Sequence, residues 1–583
     1  MIKKLAGSIR QYKKASILAP FYVTLEVVME VIIPALMANL IDYGIDAGNM
    51  AYVAKTGAAL LISAMLSLAF GILAGREAAA ASAGYAKNLR RDMFYNLQKF
   101  SFSNIDKYST ASIVTRLTTD VTNVQNAYQM IVRMAIRSPM MLIFSLAVSF
   151  SIDRQLSLIF LAAVPVLGFG LWLIMSRAHP IFERVFRTYD RLNRVVQENL
   201  RGIRVVKSFV REGYEVKKFE EISNSIYKDF SKAERILAFN MPLMQFCMYS
   251  CVLLVSWFGA RAIVASGGDP AAGLSAGELM GLITYAMQIL MSLMGLSMVF
   301  VMITISRASA ERIVEILDEE SDLKNCGAPL FKVENGGVRF ENVSFSYSKE
   351  SDKLCLDNIN LTIEPGETVG ILGGTGSSKS TLVQLIPRLY DVTDGRVMVG
   401  GADIRDYDIK TLRKAVAMVL QKNVLFSGTI KENLRWGNEA ATDEEIIHAC
   451  RLAQAHDFIE AFPEKYDTFI EQGGTNVSGG QKQRLCIARA LLGKPEILIL
   501  DDSTSAVDTK TDAQIRKALR NEIPGTTKII IAQRVSSVQD ADKIAVMDDG
   551  RIIAVGRHEE LLQSCPVYKE VYDSQAKGGR SGE

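Results

Sequence analysis

Thr368-Val-Gly-Ile-Leu-Gly-Gly-Thr-Gly-Ser-Ser-Lys-Ser-Thr381 decides how this chain is read. The apolar run 368–372 predicts a buried strand, and a helical stretch continues from Lys379 to Tyr390. Strand, glycine-rich loop and helix together are the context in which backbone N–H groups and a helix N-terminus cradle phosphates. On that reading Gly373, Gly374, Thr375, Gly376, Ser377, Ser378, Lys379, Ser380 and Thr381 form the cradle. Lys379 reaches the β/γ oxygens, and Ser380 ligates Mg²⁺. The usual spacing is G-x-x-x-x-G-K-[ST]. Here Ser378 replaces the last glycine, and serine adopts the required dihedrals only at some cost.

Downstream, Ile497-Leu-Ile-Leu500 reads as a strand buried on both faces of a sheet. It ejects Asp501 and Asp502 at its C-terminal end, where open α/β sheets place ligand chemistry. Asp501 supplies the second element of the Mg²⁺ site, and Asp502 stands where a nucleophilic water is handled. Ahead of that strand, Asn476-Val-Ser-Gly-Gly-Gln-Lys-Gln-Arg484 opens a helix. Ser478 and the N–H groups of Gly479 and Gly480, with Gln481 beside them, form an anion site.

With that segment the chain resembles the ABC transporter family, whose signature is LSGGQ; Val477 stands in for the leucine. The resemblance continues in order along the domain. It implies that Tyr347, in Val343-Ser-Phe-Ser-Tyr347, stacks on adenine. Gln421 matches the glutamine that touches Mg²⁺ and couples to the membrane domain. Glu471 falls at a cross-subunit contact, and Ser505-Ala-Val-Asp508 matches the D-loop. ABC domains pair head to tail, so Ser478, Gly479, Gly480 and Gln481 face the ATP held by a partner.

Two positions depart from the family pattern. Asp502 replaces a catalytic glutamate, and one methylene less withdraws the carboxylate by roughly 1.5 Å. Gln533, in Ile531-Ala-Gln-Arg-Val535, replaces the switch histidine and cannot carry charge. A site built on these residues is expected to bind ATP and hydrolyse it poorly. The pattern resembles degenerate-site subunits of bacterial heterodimeric multidrug exporters, which implies a partner with the glutamate and histidine intact. The other reading is a homodimer merely slowed by Asp502 and Gln533.

The first half is of a different nature. The 583 residues are 49% hydrophobic, with 66 basic and 63 acidic side chains, and mean hydropathy is +0.15. That near-neutral balance suggests no nucleic-acid partner. Apolar runs of spanning length lie near 16–41, 55–75, 135–152, 155–176, 243–265 and 277–303. Residues 42–54 hold no Lys or Arg, whereas 177–235 hold fourteen and 76–116 hold seven. The positive-inside rule therefore places both termini, the two basic loops and the ATP domain in the cytosol of a plasma-membrane protein. The loops keep helical composition and read as spans prolonged into levers, with turns at 101–106 and 206–213. Seven scattered cysteines lack metal-ligand spacing, and Cys247 and Cys251 read as core packing.

The expected architecture is an all-α six-helix transmembrane domain over 1–310, a linker over 311–337, an α/β P-loop ATP domain over 338–575 and a tail over 576–583. Short outer loops and fused domains resemble the exporter type. Glu26 and Glu30, one turn apart in the first span, read either as a polar, cation-tolerant cavity or as packing against another helix's polar group. Met287, Met291, Met294, Met298 and Met302 share one face of the last span. They read first as helix–helix packing and second as a promiscuous apolar surface. The expected function is ATP-driven export of a small amphipathic substrate. Lipid or peptide export, and an ATP-gated channel or sensor of the same build, are the alternatives.

Overall fold

The structure is a computed structural model that describes residues 1–265, 273–347, 354–503 and 506–580. Most of the outer link at 266–276 lies outside the described residues, as does Ser505 of the D-loop run. The chain divides into two compact units. One comprises Met1–Gln98 with Thr110–Glu319; the other comprises Lys99–Ser109 with Glu320–Glu583.

Among the described residues of the first unit, six helices are long and apolar enough to cross a membrane: Arg10–Ile45, Met50–Leu97, Thr110–Ile152, Arg154–Arg201, Glu212–Ala265 and Ala276–Asp318. Each apolar run read from the sequence falls within one of them. Their starts follow local chemistry. Asn49 accepts from the Tyr52 N–H, Asp153 accepts from the Leu156 N–H, and Ser275 and Glu278 form a reciprocal capping box. Asp42 accepts from the Ser275 hydroxyl at 2.6 Å and from the Gly277 N–H at 2.8 Å. That approach requires glycine, because a Cβ at 277 would collide with the Ala38 carbonyl oxygen.

The second and fourth helices hold 48 residues each. At about 1.5 Å per residue they measure about 72 Å, more than twice a hydrocarbon core of about 30 Å. The fourth and fifth are joined by the short helix Ile203–Ser208 and a sharp turn. There Phe209 and Val210 are 73% and 80% exposed, and Val210 is left-handed at φ 52°. The sixth helix continues to Asp318, past the expected boundary at 310. Ile313 and Ile316 are fully buried and keep helical spacing, so the first eight residues of the expected linker are packed helix.

The second unit is built on a six-stranded sheet. Its strands are β1 Val338–Phe345, β2 Leu356–Ile363, β3 Thr368–Gly373, β4 Asp394–Val399, β5 Ala402–Asp403, β6 Val416–Val419, β7 Gly428–Thr429, β8 Phe469–Ile470, β9 Ile497–Asp501, β10 Thr527–Ala532, β11 Lys543–Asp548 and β12 Arg551–Gly556. The order in the large sheet is β12-β11-β3-β10-β9-β6, parallel except for β12. A four-stranded antiparallel sheet runs β2-β1-β4-β5. The aliphatic run of β9 is buried on both faces, Leu498 and Leu500 in one core, Ile497 and Ile499 in the other. Register then aligns the site: Ile531 pairs with Asp501, Ala532 with Leu372, and Met547 with Gly373.

Segment Lys99–Ser109 belongs to this unit. It carries the short helix Phe102–Asp106, capped reciprocally by Ser101 and Asn104. The Ser103 hydroxyl donates to Asp322 at 2.6 Å, and the Tyr390 hydroxyl donates to Asp106 at 2.7 Å. The chain ends in the helix Pro566–Arg580, so the expected tail at 576–583 is helical through 580.

Candidate functional site

Register places the ends of β3, β9 and β10 side by side, and the loops after them build one site. Ser378 precedes the helix Lys379–Gln384 with φ 66° and ψ 25°. The serine has taken up the left-handed backbone that a glycine would occupy, at a strain of about 1 kcal/mol. Gly376 is also left-handed, at φ 87°. Lys379 is buried, and its ammonium donates to the Gly373 carbonyl at 2.9 Å, the Gly374 carbonyl at 2.6 Å and the Ser377 hydroxyl at 3.2 Å. Burial pulls its pKa below the ordinary lysine value, against the nearby charges of Asp501 and Asp502.

The Ser380 hydroxyl donates to Asp501 Oδ1 at 3.0 Å. Asp501 is buried at 4% exposure, and burial pushes its pKa up, with Asp502 adding to the shift and Ser380 opposing it. A hydroxyl and a carboxylate so close suit a hard divalent cation. Among the described residues no group of three or more His, Cys, Asp or Glu gathers into a metal cage. A donor set this small fits Mg²⁺ that arrives with phosphate oxygens completing its shell.

Asp502 follows β9 with φ 46°, its N–H donating to the Ile531 carbonyl at 3.1 Å. Two carboxamides donate to the same carboxylate oxygen, Gln421 at 3.3 Å and Gln533 at 3.2 Å. The structure therefore brings together Asp502, read as the water-handling position, Gln533, read as the switch position, and Gln421, read as the glutamine that touches Mg²⁺. Tyr347 is half-exposed; its hydroxyl donates to Thr381 at 3.1 Å and Gln384 at 3.3 Å. Its ring meets Tyr390 at 5.1 Å, perpendicular. Ser478 opens the helix Gly479–Leu492 in a capping box with Gln481. The Ala506 N–H donates to Gln483 at 3.0 Å, tying the D-loop to that helix. Glu471 is held locally, accepting from the Thr475 hydroxyl at 2.7 Å.

In the membrane unit, Glu26 and Glu30 share one cation that the sequence reading missed. Arg137 of the third span donates to Glu26 at 2.5 Å and to both oxygens of Glu30 at 2.8 Å. The polar-packing alternative describes this pair. The signal was present, since Arg137 lies inside the apolar run 135–152. Met291 and Met298 are 57% and 61% exposed, so they do not pack between helices of this chain. Neither lines the apolar groove of about 510 Å³ between the fourth and sixth helices, where Trp172, Met175, Leu296 and Phe300 do.

Residues 16–308 match the family described as ABC transporter transmembrane region, and residues 356–505 match the family described as ABC transporter. The chain belongs to the ABC transporter family. This ABC transporter chain is 36% identical over 581 residues to the uncharacterised ABC transporter ATP-binding protein YfiB of Bacillus subtilis, covering all of this chain and 99% of that one. It is 32% identical over 498 residues to an ATP-dependent lipid A-core flippase of Syntrophus aciditrophicus, covering 85% of this chain and 81% of that one. Among solved structures, a bacterial Atm1-family ABC exporter with ATP bound superposes with a TM-score of 0.83, at 24% identity, over 97% of this chain and 99% of that one. The transporter thus has the exporter fold: six membrane helices followed by an ATP-binding domain in one chain.

Proposed function

We propose that this chain is one subunit of a heterodimeric, ATP-driven multidrug exporter. Its own phosphate cradle and Mg²⁺ residues hold Mg²⁺-ATP and turn it over slowly. Lys379 and the loop 373–381 take the phosphates, Ser380, Asp501 and Gln421 face Mg²⁺, and Tyr347 stacks on the base. Ser478–Gln481 complete a competent site on a partner that carries the glutamate and histidine.

The observation that carries this reading is the grip on Asp502. Its carboxylate accepts from Gln421 and Gln533, at 3.3 and 3.2 Å. A base must lie within hydrogen-bond reach of the water it serves, and a companion that takes up charge strengthens it. A short aspartate held between two amides that cannot be protonated meets neither need. Most of the grip on the phosphates comes from Lys379 and the loop 373–381, and an amide at 533 can still hydrogen-bond a γ-phosphate, so nucleotide affinity and slow turnover coexist. Closure of the paired ATP domains then drives the long helices and turns the pathway from the cytosol to the outside. Hydrolysis at the partner's site resets it. The basic loops at 76–116 and 177–235 support the cytosolic placement of the ATP domain.

Purification of the full chain in lipid tests this. We expect a second ABC chain to co-purify. Turnover at an ordinary exporter rate by this chain alone would end the heterodimer reading. A second substrate class, lipid, is favoured by relatives named ATP-dependent lipid A-core flippases, at 32–33% identity over 84–85% of this chain. ATP-dependent accumulation of a cationic dye in inverted vesicles, set against transbilayer movement of a headgroup-labelled lipid, separates the two.

A further inference from the structure

The last helix reaches back to the switch position. In Pro566–Arg580 the side chain of Gln575 makes two hydrogen bonds of opposite sense across one turn of chain. Its Nε2 donates to the Gln533 carbonyl at 2.8 Å, and its Oε1 accepts from the Val535 N–H at 2.8 Å. Strand β10 ends at Ala532, one residue before. A single carboxamide thus continues the pairing that a neighbouring strand would have supplied, for residues just beyond the sheet.

The helix that presents Gln575 is itself well held. Tyr568 is fully buried and its hydroxyl is 2.7 Å from His558 Nδ1. Val571 and Tyr572 pack against the same core. Positions 568, 571, 572 and 575 share one helix face, so the buried rings fix where the carboxamide points. On the other side of the turn, the Gln533 side chain donates to Asp502 at 3.2 Å. A continuous path runs from the C-terminal helix through the 533–535 backbone to the residue that follows the Mg²⁺ strand.

We propose that Gln575 is a positioning residue of the nucleotide site. It holds the 533–535 turn from behind, so that the side chain at 533 stays aimed at Asp502 and the space before it. Gln575 touches no ligand; it acts through Gln533. The proposal concerns this chain's own site and holds in a homodimer or a heterodimer.

The test is a double-mutant cycle in the full-length chain, reconstituted in lipid with whatever partner it brings. The readout is the release rate of a fluorescent N-methylanthraniloyl ATP with Mg²⁺. Loss of two hydrogen bonds to a partly exposed turn predicts that Gln575→Ala speeds release roughly threefold to tenfold. The effect should vanish in a Gln533→Ala background. Gln575→Glu keeps the acceptor for Val535 and should recover part of the hold. Hydrogen exchange should rise at residues 533–535 while Pro566–Gln575 stays protected. An equal effect in both backgrounds, no effect in either, or exchange rising along the whole helix would overturn the proposal. Brisk turnover by the chain alone would end the slow-site reading, whereas the coupling between positions 575 and 533 is measured independently of it.

Discussion

Asp502→Glu should return catalytic power to this chain's own site, and the structure sets the scale. The backbone at 502 is pinned by its N–H on Ile531 at 3.1 Å and lies at φ 46°. The Cα therefore stays in place, and the added methylene advances the carboxylate by roughly 1.5 Å. Misplacement of about 1 Å costs on the order of 10²-fold in rate. The replacement should recover about that factor, on the order of 2.7 kcal/mol of barrier. Gln533→His restores a group that can carry charge and should add about another tenfold. Aspartate tolerates the left-handed backbone better than glutamate, so a stability loss of about 1 kcal/mol accompanies the gain. The assay is phosphate release in lipid nanodiscs, with the base position of any co-purifying partner neutralised. Asp502→Asn serves as the control and should fall below the parent. Turnover of Asp502→Glu within twofold of the parent, or an equal rise in Asp502→Asn, would refute the reasoning.

Three further outcomes are expected. Ser378→Gly removes left-handed strain and no capping bond, since the Ser378 side chain caps nothing. Thermal unfolding should show a gain of up to about 1 kcal/mol, with ATP affinity changed less than about threefold; a tenfold gain in affinity would show that the serine obstructs the cradle. Arg137→Met leaves Glu26 and Glu30 without their cation inside the membrane unit and should cost about 3 kcal/mol. Adding Glu26→Gln and Glu30→Gln should restore most of it in a melt of the reconstituted protein. Burial raises the Asp501 pKa, and Mg²⁺ requires the deprotonated form. Mg²⁺ affinity should therefore weaken as pH falls through that raised pKa and be regained as pH rises above it, whereas Asp501→Asn should bind weakly with no such slope in an isothermal titration.

What could be read from the sequence was whatever is encoded in local spacing. The cradle at 368–381, the aliphatic strand ending at Asp501 and the helix opening at Ser478 each depend on residues within a dozen positions. The strands and the helix opening at Ser478 stand as expected, whereas the helix after the cradle, expected to reach Tyr390, ends at Gln384, shortly before Pro387. The six spans were legible for the same reason, because hydropathy is a property of one contiguous window. Pairings across helices were not. Arg137 meets Glu26 and Glu30 only when the first and third spans pack, and Gln575 meets Gln533 only when the last helix folds back over the sheet. The linker's start was misplaced because charges at 315–320 masked the buried pair Ile313 and Ile316. The methionine stripe divides: Met294 packs on the membrane core as expected, whereas Met287, Met291 and Met298 are exposed. Spacing identifies a helix face but not whether that face meets a helix of the same chain.

Tyr390 holds a segment that lies, in the chain, between two membrane helices. One ring touches Tyr347 edge-on and grips Asp106 through its hydroxyl. Asp106 sits in the segment 99–109, and the chain leaves that segment in both directions as a membrane helix, ending at Leu97 on one side and starting at Thr110 on the other. The piece of chain that Tyr390 grips is therefore short and has a membrane helix at each of its ends, so one hydrogen bond fastens to the ATP-binding unit a segment that both helices must share.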